Sequence, residues 1–181
     1  MQFVKEQFVQ TYEIKKSKFI AYLFPYKEFK EVMEVLKKEH QKARHFVYAY
    51  RYLNEFDQIV ENCSDDGEPK GTSGKPSLAV MGGNDLINSA VIIVRYFGGI
   101  KLGTGGLVKA YGNAVNLVIA NSLLHKYIKL DQKIIEVEYT NLSKIEYEIS
   151  KYDITIVNKE FTNNVKLTLE GSKELLEFLN F

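Results

Sequence analysis

The chain has 181 residues, 45% of them hydrophobic and 26% charged, which is the composition of a globular protein and excludes a disordered one. Its net charge of +1 gives no overall reason to expect a nucleic-acid or membrane partner, and its single cysteine excludes an intrachain disulfide. The longest unbroken apolar run, residues 19–24, is far shorter than the roughly 20 residues of a membrane-spanning helix, and the N-terminus lacks the apolar core of a signal peptide. We therefore expect a cytoplasmic protein with no membrane partner.

An amphipathic helix is predicted near the N-terminus, after strand-like residues at 3–24. From Phe29 onward, apolar side chains recur at i, i+3, i+4 and i+7. This spacing places them in one stripe along a helix over 27–41.

Strands are predicted at 45–52 and 58–62, and the first is rich in tyrosine. Tyr48, Tyr50 and Tyr52 alternate and so share one face. Such a face can stack on nucleic-acid bases, but it more often packs across neighbouring strands, and we favour packing.

A long loop is predicted over 64–76, because its residues favour turns or carry charge, and a short helix follows Pro76. Asp65, Asp66 and Glu68 could hold a hard cation through oxygen ligands. The spacing of a calcium loop is absent, so we favour a capped acidic turn and predict no metal. The three carboxylates could instead pair with Lys70, Lys75 or Arg95.

The strand pattern is strongest at 90–97, where residues 91–94 are all β-branched, as in a strand buried on both faces. A glycine-rich loop over 98–106 and a mostly apolar helix over 107–122 follow. Glycines let backbone N–H groups converge on one point, and a helix start adds unpaired N–H groups. The loop matches neither the Walker A pattern nor the dinucleotide fingerprint, so an anion site and a tight structural turn both stay open. The candidate anion- or nucleic-acid-binding residues are Arg95, Gly98, Gly99, Lys101, Gly103, Thr104, Gly105, Gly106, Lys70, Lys75 and Lys109.

No complete catalytic arrangement is visible in the sequence. The candidate catalytic residues are His45, Asp65, Asp66 and Glu68. His45 gains interest only if the fold brings it near the two loops, which we predict to converge on one side of the first domain. Cys63 fits a small buried residue better than a nucleophile, and Ser73 has no visible base.

The last quarter of the chain differs in charge and pattern. Through residue 130 there are 18 Lys and Arg against 13 Asp and Glu, whereas the rest has 6 against 10. We therefore expect two domains, 1–129 and 130–181. Strands at 134–139, 153–161 and 165–169 and a helix at 141–151 are predicted. Ser172 caps a last helix bearing Leu175, Leu176 and Leu179. This β-α-β-β-α order lacks the final strand of a split βαβ unit, so either the sheet is complete without it or the chain is shortened.

Three motifs in chain order resemble the Impact/YigZ family over roughly residues 15–122. They are His45-Phe46-Val47-Tyr48-Ala49-Tyr50-Arg51, the loop Ser64-Asp65-Asp66-Gly67-Glu68-Pro69 with Gly71-Thr72-Ser73-Gly74-Lys75-Pro76, and Arg95-Tyr96-Phe97-Gly98-Gly99-Ile100-Lys101-Leu102-Gly103 with Gly105-Gly106-Leu107. Ser73 departs from the alanine that the family pattern has there. The resemblance implies an α+β protein whose first domain is like ribosomal protein S5 domain 2. The second would be ferredoxin-like, similar to the last domain of elongation factor G.

The resemblance also carries functional expectations. Eukaryotic relatives are translation regulators, whose extra N-terminal partner-binding domain has no counterpart here. Ribosome or nucleic-acid association has been suggested for bacterial relatives. We therefore expect a non-catalytic, translation-linked factor that binds RNA or the ribosome and uses no cofactor. The alternative is an enzyme acting on a phosphorylated small molecule, with the glycine loop as its anion cradle.

Overall fold

A computed structural model of the chain describes residues 1–178. In it, the apolar run at residues 91–94 lies in the central strand of a five-stranded sheet. The chain divides into two units, Met1–Tyr127 and Ile128–Phe181, and the sheet belongs to the first. Both units combine helices with strands, so the predicted α+β class with two domains is confirmed.

The first unit is built around this sheet. Its strands and helices are β1 (Gln2–Phe3), β2 (Phe8–Ile14), β3 (Ser17–Pro25), α1 (Phe29–Glu39), β4 (His45–Leu53), β5 (Ile59–Ser64), α2 (Gly74–Gly83), β6 (Ser89–Tyr96), α3 (Thr104–Ala120) and β7 (His125–Lys126). The sheet order is β2-β3-β6-β4-β5, and every neighbouring pair is antiparallel, while β1 pairs separately with β7.

The predicted burial of β6 on both faces is confirmed. Val91 and Ile93 pack with α2 and α3 on one face, and Ile92 and Val94 pack with α1 on the other. The tyrosine face of β4 also packs as expected, because Tyr50 contacts the ring of Phe29 at a centroid distance of 5.2 Å. The first unit therefore has a helical layer on each side of the sheet.

Two helices begin earlier than predicted. Helix α3 begins at Thr104 and not at residue 107, and α2 begins at Gly74, before Pro76. The glycines of the loop do not delay α3, because Gly103 occupies the N-cap with φ of 75° and the next N–H groups need no intrahelical acceptor.

The second unit has the predicted β-α-β-β-α order. Its elements are β8 (Leu130–Val137), α4 (Leu142–Ile149), β9 (Ile154–Phe161), β10 (Val165–Ser172) and α5 (Lys173–Phe178), with the antiparallel sheet order β8-β10-β9. The predicted cap is confirmed, since the hydroxyl of Ser172 accepts a hydrogen bond from the Leu175 N–H at 3.3 Å. Leu179, expected in the last helix, lies outside the described residues.

Candidate functional site

The acidic loop (residues 64–76) and the glycine loop (residues 98–106) converge on one cleft of about 430 Å³ in the first unit. The predicted convergence of the two loops on one side of the first domain is therefore confirmed. The cleft is lined by Arg44, His45, Glu68, Pro69, Arg95, Phe97, Lys101, Leu102, Gly103, Thr104 and Leu107. Three cations therefore line it against one carboxylate, before any charge on His45 is counted.

Strand register brings His45 and Arg95 together. His45 begins β4 and lies directly opposite Arg95, near the end of β6, in the antiparallel ladder. Residues directly opposite each other point to the same face of a sheet. Both side chains therefore face the layer of α2 and α3, where the two loops meet.

Glu68 is the buried acceptor at the base of the cleft. Its Oε1 atom accepts hydrogen bonds from Arg95 Nη1 and from the Tyr111 hydroxyl, the latter at 2.8 Å. The side chains of Glu68 and Arg95 are 3% and 8% exposed. Burial and the neighbouring Glu68 carboxylate raise the pKa of Tyr111, so its hydroxyl stays protonated and donates.

Arg95 keeps one buried donor without a partner. Within residues 1–178, its Nε atom is the only buried side-chain nitrogen or oxygen without a hydrogen-bond partner. Its guanidinium also lies over the rings of Phe19 and Phe97. A buried donor of this kind is uncommon and often marks a functional site.

The orientation of His45 is set by the acidic loop. Its Nδ1 atom lies 2.8 Å from the Asp66 carbonyl oxygen, which can only accept, so Nδ1 is the donor. The neutral ring therefore carries its lone pair on Nε2, which lies 3.9 Å from Glu68 Oε1. His45 can therefore accept a hydrogen bond in the cleft through Nε2.

Asp65 and Asp66 hold the acidic loop in shape. Asp65 accepts hydrogen bonds from the N–H groups of Gly71, Ser73 and Gly74 and from the Ser73 hydroxyl. Burial acts to raise the pKa of Asp65, but these hydrogen bonds outweigh it and lower the pKa. Asp66 accepts from the Phe46 N–H at 2.6 Å. Both carboxylates are thus engaged in structural hydrogen bonds, as expected for a capped turn.

Two other nucleophile candidates are disfavoured. Burial raises the pKa of the Cys63 thiol, which opposes formation of the thiolate. Ser73 donates its hydroxyl hydrogen to Asp65 and not to an imidazole.

The start of α3 forms one wall of the cleft. Gly103 makes no side-chain cap, and the first turn contains no acidic residue. The N–H groups of Thr104, Gly105 and Gly106 precede the first intrahelical bond, which Leu107 donates to the Gly103 carbonyl at 2.9 Å. The helix dipole, Arg44 and Lys101 favour an anion at this position.

The remaining candidate residues lie elsewhere. Gly98 packs against the backbone of Lys16, where an added Cβ would come within 2.1 Å of a carbonyl carbon. Gly99 adopts a φ of 85°. Lys70, Lys75 and Lys109 are exposed and are not among the residues that line the cleft.

Sequence reasoning missed Tyr111 and Arg44. Tyr111 lies in the apolar stretch that predicted α3, and a buried tyrosine hydroxyl generally needs a partner, which could have suggested a polar group beneath the helix. Arg44 immediately precedes His45 at a bend and carries no motif of its own.

Residues 1–178 contain neither a metal-ligand cluster nor a membrane-spanning helix. No three His, Cys, Asp or Glu side chains in this range cluster as metal ligands would. None of its helices has the length and apolar character needed to cross a bilayer.

Comparisons with known proteins agree with the sequence motifs. Residues 15–119 match the model of the Impact N-terminal domain, and residues 135–178 match a domain of unknown function (DUF1949). The chain is 40% identical to IMPACT family member YigZ of Escherichia coli over 144 residues, covering 78% of this chain and 71% of that protein. It is 38% identical to IMPACT family member YvyE of Bacillus subtilis over 154 residues, covering 81% and 68%.

A crystal structure described only as that of a hypothetical protein is similar to both units. It shares 35% identity with a TM-score of 0.70, covering 98% of this chain and 88% of that one. The cleft residues His45, Glu68, Arg95 and Lys101 all fall within the matched Impact N-terminal domain. The chain therefore belongs to the IMPACT family.

Proposed function

We propose that this chain is a translation-linked regulatory factor that binds RNA, including the RNA of the ribosome, through the cleft at the start of α3. The proposed link to translation rests on family membership, because the eukaryotic relatives in this family are translation regulators. The binding site is inferred from one observation: the N-terminus of α3 has no side-chain cap and lies in a cleft lined by Arg44 and Lys101.

The charge distribution of the cleft favours a phosphate group. Glu68 is the only carboxylate of the described residues 1–178 that lines the cleft, and it is already engaged by Arg95 and Tyr111. Arg44 and Lys101 therefore act on a ligand with little opposition from within the cleft. A phosphate there would also meet the backbone N–H groups of the helix start, as in other phosphate sites at helix N-termini.

RNA binding of this kind depends on salt, because each phosphate contact releases counterions. The affinity of the chain for labelled single-stranded RNA and for ribosomes should be measured at several salt concentrations. The double variant Arg44→Ala with Lys101→Ala should weaken binding and lower the salt slope by about 1.4 for single-stranded RNA and about 1.8 for duplex RNA, the values for two lost phosphate contacts.

A matched control removes two cations from the opposite face of the sheet. Lys37 and Lys38 are exposed on α1, and Lys37→Ala with Lys38→Ala changes the net charge by the same amount. The control should bind RNA like the unmodified chain. Equal losses in both double variants would leave only a general charge effect and contradict the cleft as the binding site.

A second candidate function is an enzyme acting on a phosphorylated small molecule. The observation in its favour is His45, whose fixed tautomer directs the Nε2 lone pair into the same cleft, 3.9 Å from Glu68. In this function His45 would act as the general base beside a phosphate held by α3. The test is turnover of phosphorylated metabolites by the unmodified chain and by His45→Gln. Turnover that His45→Gln abolishes would favour the enzyme over the RNA-binding factor.

A further inference from the structure

A second cleft lies at the other end of the five-stranded sheet. It has a volume of about 610 Å³ and is lined by Phe3, Val4, Lys5, Pro25, Tyr26, Lys27, Tyr52, Leu53, Asn88 and Tyr127. Strands β3 and β4 end here and β6 begins. The cleft at the start of α3, lined by Arg44, Glu68 and Lys101 and called the anion cleft below, lies where β4 begins and β6 ends. Within the described part of the chain, residues 1–178, the two clefts share no lining residue. The second cleft has the size of a small-molecule site. We call it the aromatic cleft.

Stacked tyrosines line the aromatic cleft. The rings of Tyr26 and Tyr52 lie 4.2 Å apart and are almost parallel, with an angle of 4° between their planes. Tyr26 follows β3 and Tyr52 lies near the end of β4, so secondary structure holds both rings in place. Phe3 and Tyr127 line the same space. Flat aromatic groups of this kind favour a planar, aromatic ligand.

The charged lining of the aromatic cleft is entirely basic. Lys5 and Lys27 are exposed, and no carboxylate of residues 1–178 is among the lining side chains. Lys27 lies 4.0 Å from Glu28, at the limit of an ion pair, and its side chain is 80% exposed, so it remains available to a ligand. A ligand that combines an aromatic ring with a negative charge would complement both features of the cleft.

Asn88 adds a hydrogen-bonding side chain to the lining of the aromatic cleft. Its Oδ1 atom accepts from the Leu53 N–H at 3.0 Å, and its carbonyl oxygen accepts from the Tyr26 N–H at 2.9 Å. These bonds hold the residue and orient its amide, since only the oxygen can accept. No partner for Nδ2 is described within residues 1–178, so this NH₂ group can donate to the acceptor edge of a base.

We propose that the aromatic cleft binds a nucleotide. The base stacks on the tyrosine pair, Asn88 donates to the edge of the base, and Lys5 and Lys27 contact the phosphate. The shared chemistry fits a free mononucleotide and an unpaired nucleotide of an RNA strand. The site stands on its own residues and does not depend on the anion cleft.

The backbone amide signals of the full chain should be followed by NMR while AMP, UMP, adenosine, inorganic phosphate and short single-stranded RNA oligomers are added. The nucleotides should shift the signals of Lys5, Lys27, Leu53 and Asn88. Adenosine should shift them more weakly, and inorganic phosphate should leave them in place. Binding of an oligomer at least tenfold tighter than AMP identifies an RNA strand as the source, and equal affinities identify a free nucleotide.

Charge reversal tests the phosphate contacts. Lys5→Glu with Lys27→Glu changes two exposed side chains, so the fold should survive, and AMP affinity should fall about tenfold or more. The matched variant Lys37→Glu with Lys38→Glu should keep the affinity. Tyr52→Leu retains an apolar side chain but removes one ring of the stacked pair. It should weaken the binding of adenosine as well as that of AMP.

Three outcomes would overturn the proposal. One is no shift of these four signals with either nucleotide at 10 mM. Another is an AMP affinity that the double reversal at Lys5 and Lys27 leaves unchanged. The third is equal displacement of AMP by a short acidic peptide, which would indicate a general anionic patch. The amide signals of residues 101–107 report binding at the anion cleft separately. A negative result at the aromatic cleft would therefore not contradict the proposed RNA binding at the anion cleft.

Discussion

The Nε2 atom of His45 lies 3.9 Å from Oε1 of Glu68, and the same oxygen accepts hydrogen bonds from Arg95 and Tyr111. One buried carboxylate oxygen therefore joins β4, the acidic loop, β6 and α3. This arrangement gives Glu68 a structural role and places it at the base of the cleft.

Glu68→Ala should strongly destabilise the first unit. The substitution leaves the Arg95 guanidinium buried without its counter-ion, and removing one partner of a buried ion pair typically costs about 3–5 kcal/mol. The free energy of unfolding in urea measures this loss. Glu13→Ala is the control, since Glu13 pairs with Lys18 on the surface, where such pairs contribute about 0–1 kcal/mol. Similar losses in the two variants would show that the buried network is not stabilising.

Asp65 should make stability depend on acid pH. Its pKa is lowered in the folded chain, so its contribution to stability is full above the pKa of the unfolded chain. That contribution is lost as the pH falls from about 4 through the lower folded value. Asp65→Asn should lower stability at pH 7 by about 1–2 kcal/mol, in the range of lost helix caps. It should also flatten the decline below pH 5, as measured by urea unfolding at each pH. An equally steep acid decline in Asp65→Asn would show that other carboxylates dominate it.

Alanine substitutions at two glycines of the glycine loop, Gly98 and Gly105, should change the stability of the protein in opposite directions. An added Cβ at Gly98 would overlap the Lys16 backbone at 2.1 Å. At Gly105, in the first turn of α3, an added Cβ meets no atom of residues 1–178 within 4 Å beyond its chain neighbours and the adjacent helix backbone. Gly98→Ala should therefore cost at least the 1–3 kcal/mol typical of overpacking. Gly105→Ala should be neutral or stabilising by up to about 1 kcal/mol, because alanine favours helix. Thermal unfolding of both variants tests this, and equal melting temperatures would contradict the close packing at Gly98.

Inorganic phosphate should bind at the start of α3. Phosphate added at millimolar concentrations should shift the backbone amide signals of Thr104, Gly105 and Gly106. Gly105→Val should reduce these shifts, because the side chain would stand beside the open N–H groups, at a position where an added Cβ has open space. Gly83→Val, at a second glycine with open space around it, should leave them unchanged. If the three signals stay in place while others move, the loop is a structural turn only.

Local patterns in the sequence were sufficient for most of the fold. Apolar spacing predicted α1, and the run at 91–94 predicted a strand covered on both faces, because periodicity follows directly from which sides of an element are buried. Turn and cap chemistry likewise predicted the acidic loop and the Ser172 cap, since a cap involves residues only a few positions apart.

The sequence by itself thus determined the elements, the family motifs and the two loops that form the cleft. Only the tertiary structure decided which charges meet there. His45 lies opposite Arg95 because of the register of β4 against β6, and a shift of one residue would turn His45 to the other face. That register depends on the packing of both sheet faces against helices distant in the chain. For the same reason the hydrogen bond between Tyr111 and Glu68 could not be predicted from the sequence. Of the three acidic candidates, Asp65 and Asp66 make hydrogen bonds that hold the loop, and Glu68 lines the cleft.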